Sequence, residues 1–199
     1  MSAQPNLGMQ PTTFDNPMGI NGFEFVEFAA PAGQGPRMRE YLGQLGFSAV
    51  ARHRVRPITL FRQGTINFLL NESEDSFAAD FAAQHGPSAC GFAIRFREPT
   101  DKVLAHVLAN GGAQVDHKPD TGAVATPVIK GIGDCMLYLV DDGRADLYAD
   151  YEPLPGVDQH PKGFGLTFID HLTHNLFVGN MAKWSDYYEK LFNFREIRY

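Results

Sequence analysis

One pattern of residues occurs twice in full and a third time in part, and this repetition limits the fold more than any other feature of the chain. In the first copy, GFEFVEFAAP (22–31) alternates in character as a strand with two unlike faces does. Pro36 then opens a helical stretch, PRMREYLGQLGF, whose Met38, Leu42 and Leu45 recur at spacings of four and three. Gly46 stands where such a helix should stop. SAVARHR (48–54), ITLFRQG (58–64) and TINFLLN (65–71) predict three strands, the last two joined tightly at Gly64. Residues 20–71 thus read as β-α-β-β-β. The order returns over residues 88–142. SACGFAIRF (88–96) predicts a strand, and TDKVLAHVLANGG (100–112) a helix with Thr100 as its N-cap and two glycines as its stop. AQVDHK, PVIKGIGD and CMLYLVDD complete the unit, with GIGD (131–134) as a turn. FAADFAAQHGP (77–87) reads as the linker between the copies.

The third copy is partial. DYEPLPGVDQHPKG (150–163) is polar and proline-containing, as a boundary is. GLTFIDHLTHNLF (165–177) predicts another first strand, and MAKWSDYYEKLFN (181–193) another helix with Trp184, Tyr188 and Leu191 on one face. FREIRY begins a further strand. The expected organisation is a loose arm over 1–19, a domain of two paired units over 20–150, a linker over 151–163, and the start of another domain over 164–199. The expected fold class is α+β, built from paired β-α-β-β-β units. The partial unit carries Phe168, Leu172 and Phe177 on its strand without the rest of a sheet to cover them, so the chain is expected either to associate through this piece, as a homo-oligomer, or to leave it mobile while residues 20–142 remain ordered.

Composition narrows the function classes. Lys and Arg total 17 against 23 Asp and Glu, a net charge of −6 with no basic run, which argues against nucleic-acid and anionic-membrane partners. The start MSAQPNLGMQPTTFDNPMG lacks the apolar stretch of a signal peptide, and no apolar run approaches a membrane span, so a cytoplasmic location is expected. Cys90 and Cys135 are the two cysteines, with no CxxC pair, and read as buried free thiols. Phosphate-loop, GxGxxG and GxSxG signatures are missing.

The run IDHLTHNLF (169–177) holds two histidines three residues apart. Side chains on a strand point alternately to opposite faces, so His171, Thr173 and Asn175 share one face while Asp170, Leu172 and His174 share the other. One ion cannot easily take both histidines, and the pair reads as one ligand and one bystander, His174 being structural or supporting. Aligning the three first strands sets His171 against Phe25 and roughly Phe92, side chains that bind no metal. The first two units are therefore expected to be structural. His53, His85, His106, His117 and His160 show no ligand-like grouping. Glu24 and Glu27 read as a solvated strand face or as salt-bridge partners.

From about Asn16 to Tyr199 the chain resembles the 4-hydroxyphenylpyruvate dioxygenases of bacterial type, within the vicinal-oxygen-chelate superfamily. The strings that carry the resemblance are NPMGINGFEFVEFA, LGFSAVARHR, FRQGTINFLLN, HGPSACGFAIRF, IKGIGD, IDHLTHN and YYEKLFNFREIRY. The resemblance implies Fe(II) held by two histidines and a glutamate, with open positions for the α-keto acid and for O2. It implies conversion of 4-hydroxyphenylpyruvate and O2 to homogentisate and CO2 in tyrosine catabolism. By motif the first metal ligand falls on His171, and the other two have no counterpart here, so the 199-residue chain is expected to be inactive alone. The alternatives are a 4-hydroxymandelate synthase-like dioxygenase and a non-catalytic binding or dimerisation module.

Overall fold

Strand β1 (Ile20–Ala29) runs through the middle of one eight-stranded sheet, and the two repeats are arranged about it. The computed structural model describes residues 15–30, 33–115 and 122–197. In chain order the elements are β1, α1 (Gly35–Gln44), β2 (Ser48–His53), β3 (Ile58–Gln63), β4 (Ile66–Asn71), α2 (Phe77–His85), β5 (Ser88–Phe96), α3 (Thr100–Ala109), β6 (Val128–Lys130), β7 (Met136–Asp141), β8 (Tyr151–Pro153) and α4 (Met181–Phe192). The strand order is β6-β7-β5-β1-β4-β3-β2-β8. Within each repeat the first strand pairs parallel with the last, β1 with β4 and β5 with β7. Between repeats the two first strands pair antiparallel, Phe25 opposite Ala93 and Val26 opposite Phe92. A mixed α+β sheet with a pseudo-twofold at its centre results.

The two-residue period of the strands decides which side chains go to which layer. Phe25, Leu69, Ala93 and Tyr138 face one way, under a cover of Val124, Leu147 and Tyr151. Val26, Phe92, Ile94, Leu137 and Leu139 face the other way, under Val103 and Val107 of α3 and Leu191 and Phe192 of α4. Leu42 of α1 and the adjoining Phe47 close the far end of that layer over Phe61 and Leu70. Each such Leu or Phe is worth roughly 1.5–3 kcal/mol when removed from water, so burial on both faces holds the sheet. Gly46, at φ 88°, ends α1 as its position predicts.

Several expected boundaries differ. Residues 77–85 of the expected linker form α2: the Ser76 hydroxyl accepts a hydrogen bond from Ala79 N at 3.2 Å, and Ala78 and Ala82 pack on Ala29 and Cys90. Thr100 is inside α3 rather than its N-cap. Its backbone N–H donates to Asp141 Oδ1 at 2.7 Å, so the cap comes from the end of β7. In place of a strand over AQVDHK there is an isolated bridge from Gln114 to Ile129, and residues 116–118 of that stretch lie outside the described residues. The stretch 127–134 is strand only at β6, followed by a short 3-10 turn at Ile132–Asp134.

The expected linker over 151–163 holds β8, which pairs antiparallel with β2, Arg52 opposite Glu152. Pro153 is tolerated because β8 is an edge. Of the expected arm, residues 1–14 lie outside the described residues, while Met18 is buried and its carbonyl accepts from Glu98 N at 3.3 Å. Residues 165–177 and 194–197 form no ladder among the described residues, so the two strands expected there are not seen. The helix expected between them is α4, stopped by Asn193 in the left-handed conformation.

Candidate functional site

Residues 164–177 form an extended strap laid over the helix-bearing side of the sheet. Its start is fixed by Gln63, which is fully buried. Gln63 Nε2 donates to Leu45 O at 2.9 Å, while its Oε1 accepts from Phe164 N at 2.7 Å and Leu166 N at 3.3 Å. The Thr65 hydroxyl donates to the Thr167 carbonyl, and Ile169 packs against both the central part and the far end of the apolar layer on this side.

Beyond Ile169 the strap keeps the alternation of a strand although no ladder holds it. His171, Thr173, Asn175 and Phe177 are exposed; Leu172, His174 and Leu176 are partly buried. The two histidines therefore lie on opposite faces, as parity requires. Asp170 departs from that parity and sits outward beside His171, its Oδ2 2.9 Å from His171 Nδ1, with about three quarters of both side chains in solvent. Among the described residues no partner takes His171 Nε2. His174 turns inward, its ring 5.8 Å from Phe92 and 6.0 Å from Tyr188 between centroids, with Nε2 3.2 Å from the Tyr188 hydroxyl. Burial lowers the pKa of His174 and keeps the ring neutral. It borders a pocket of about 360 Å³ lined also by Phe81, His85, Phe92 and Cys135.

No three His, Cys, Asp or Glu side chains among the described residues lie close enough together to hold a metal ion. His85, His106 and His160 are exposed and scattered, and His117 lies outside the described residues. His53 is buried, its ring edge-on to Tyr151 at 5.1 Å and its Nε2 3.0 Å from Arg56 Nη2. Cys90 and Cys135 are buried free thiols; burial pushes Cys90 up and Cys135 to about 12, so both stay protonated and unreactive.

The two glutamates of β1 separate. Glu24 pairs with Arg95 at 3.3 Å and accepts from the Tyr148 hydroxyl at 3.0 Å, one of the roles expected of it. Glu27 is 2% exposed and not solvated. Asn71 Nδ2 donates to it at 2.8 Å and the Tyr138 hydroxyl at 2.6 Å. Burial raises its pKa more than these bonds and the Arg56 charge lower it. A usable signal existed in parity, because Glu27 shares its face with Phe25 and Ala29, both core residues. Phe25 itself, the counterpart of His171 in the first repeat, lies fully buried and edge-on to Tyr138 at 5.0 Å. Phe92, the counterpart in the second, is buried in the opposite layer.

A family profile described as hydroxyphenylpyruvate dioxygenase, N-terminal, matches residues 14–152. The chain belongs to the hydroxyphenylpyruvate dioxygenase family. It is 46% identical over 190 residues to 4-hydroxyphenylpyruvate dioxygenase of Pseudomonas sp. (strain P.J. 874), covering 94% of this chain and 52% of the relative. It is 42% identical over 187 residues to the enzyme of that name from Pseudomonas aeruginosa, covering 92% of this chain and 52% of the relative. This family member therefore spans about half the length of the curated relatives it matches. A solved structure, a xylose isomerase-like TIM barrel/4-hydroxyphenylpyruvate dioxygenase fusion protein, superposes with a TM-score of 0.79 at 30% identity, over 93% of this chain and 30% of that one. The α+β sheet is thus of the vicinal-oxygen-chelate type found in this family. Among the described residues no helix is long and apolar enough to cross a membrane.

Proposed function

We propose that this chain is the metal-free half, together with the first metal-ligand segment, of an Fe(II)-dependent 4-hydroxyphenylpyruvate dioxygenase. The reaction is conversion of 4-hydroxyphenylpyruvate and O2 to homogentisate and CO2, in cytoplasmic tyrosine catabolism. What carries the reading is the 46% identity to a dioxygenase relative across 94% of this chain. His171 is the proposed first iron ligand: it is exposed, its Nδ1 is engaged by Asp170, and Nε2 is left for a metal, the usual division of labour in a ligating histidine. The residues present do not fit a complete iron site, since His171 offers one donor, its neighbour Asp170 is turned to Nδ1, and no group of three His, Cys, Asp or Glu side chains comes together among the described residues. Residues 20–142 serve as a scaffold for the half that completes the site, and the proposed assembly is a homo-oligomer.

The test is homogentisate formation coupled to oxygen uptake, with added Fe(II). The 199-residue chain alone is expected to show none. The chain joined in frame at its end to the corresponding second half of the Pseudomonas relative is expected to turn over, and His171→Ala in that hybrid to abolish turnover. Activity of the 199-residue chain, or an active H171A hybrid, overturns the reading.

A further inference from the structure

We propose that His174 is a positioning residue for His171: its contact with Tyr188 fixes which face of the strap is turned outward. The ligand role of His171 rests on the function proposed above; the clasp itself does not.

Beyond Thr167 no ladder among the described residues fixes the register of the strap, and a slip of one residue there exchanges its two faces. Such a slip here would turn His171, Thr173, Asn175 and Phe177 inward. The polar anchors of the strap's start end at Thr167, whose carbonyl accepts from the Thr65 hydroxyl, four residues before His171. Leu172 and Leu176 favour the observed parity, but apolar contact alone does not pin a position along the chain. The hydrogen bond between His174 and Tyr188 does, because it joins one atom pair. Tyr188 is a firm post. Its ring stacks on Phe194 at 5.6 Å and 12°, meets Tyr187 edge-on at 5.7 Å and lies 6.2 Å from Phe192. The Tyr187 hydroxyl in turn donates to the Lys130 carbonyl at the sheet edge. Phe92 of β5 also borders the His174 ring, so one imidazole ties together sheet, strap and α4. Partial burial lowers the pKa of His174, which favours the neutral ring at this place.

The experiment uses the full 199-residue chain without metal. Modification of each histidine by diethyl pyrocarbonate is timed by mass spectrometry, and imidazole 15N shifts and ring-to-ring NOEs are recorded by NMR. In the wild type, His171 should react at the rate of a free histidine and His174 about tenfold slower, with NOEs from His174 to Phe92 and Tyr188 and none from His171. Tyr188→Phe removes the hydroxyl and keeps the ring. It should shift the His174 Nε2 resonance, raise His174 reactivity five- to tenfold (the size of a lost hydrogen bond) and bring His171 NOEs to the sheet, with the β1 signals unmoved. His174→Gln, which can still bond Tyr188, should keep His171 outward; His174→Phe should not. Equal protection of the two histidines in the wild type, or a Y188F chain within twofold of wild type on His174, overturns the clasp. If the clasp holds and the H171A hybrid stays active, the ligand assignment fails and the clasp stands.

Discussion

Replacing Glu27 probes the part of the sheet where composition and environment conflict most. Its carboxylate is buried and takes two donors, Asn71 Nδ2 and the Tyr138 hydroxyl. In Glu27→Ala both donors lose their acceptor inside the core. A stranded buried donor costs about 1–3 kcal/mol, and the emptied side-chain volume adds to that, so a loss of about 3–5 kcal/mol is expected. Glu27→Gln has the same shape and is uncharged, and should cost about 1 kcal/mol or less where the native carboxyl is protonated. The two variants then separate through pH. Burial raises the Glu27 pKa, so the folded state holds its proton more tightly than the unfolded chain does. Between the unfolded value near 4.5 and the raised folded value, the folded state carries one proton more, and stability falls as pH rises. Wild type should therefore lose stability relative to E27Q on going upward from pH 4.5, at no more than about 1.4 kcal/mol per unit, until the folded pKa is passed. Urea unfolding followed by far-ultraviolet circular dichroism at half-unit steps measures this difference. A difference that is flat or rises with pH, or an E27A variant within 1 kcal/mol of wild type, would refute the reasoning.

Three further outcomes are expected. Gln63→Ala should release the start of the strap at a cost of about 2–3 kcal/mol, read as lost hydrogen-exchange protection at Phe164 and Leu166, whose amides now donate to it. Phe168→Ser with Phe177→Ser should reduce self-association in analytical ultracentrifugation without lowering the melting temperature, because both rings are exposed (67% and 87%). Gly46→Ala, which forces a Cβ at φ 88° to within 2.9 Å of the Phe164 ring, should lower stability by about 1–2 kcal/mol in the same urea assay.

What the sequence revealed follows from how local each signal is. The alternation in FEFVEFA and the spacing of Met38, Leu42 and Leu45 report on one element's own faces, and β1 and α1 form where these patterns lie. Helix α2 is equally legible, with Ser76 as its cap and Phe77, Ala78, Phe81 and Ala82 as its stripe, signals that a linker over 77–87 leaves out of account. Other features depend on distant partners. Three residues containing a proline become β8 because β2 offers a free edge. Residues 165–177 carry a strand's alternation yet form no ladder, since no strand lies beside them among the described residues. Parity placed His171 and His174 on opposite faces correctly. It could not say that the face bearing Glu27 is roofed by residues 123–124 and 147–151, which is what turns that glutamate from a surface charge into a core group.

The cap on α3 has a kinetic meaning. Helix α2 carries its own start signal in Ser76, three residues from the amide it receives. Helix α3 borrows its start signal from Asp141, 41 residues further along. During refolding α2 can begin as soon as its residues meet, but the first turn of α3 stays frayed until β7 has docked parallel to β5 and delivered that carboxylate. A loop of this length must close first, and its entropy must be met before the capping bond returns anything. The second repeat should therefore appear late and all at once, with the protection of α3 rising in step with that of β7 rather than ahead of it.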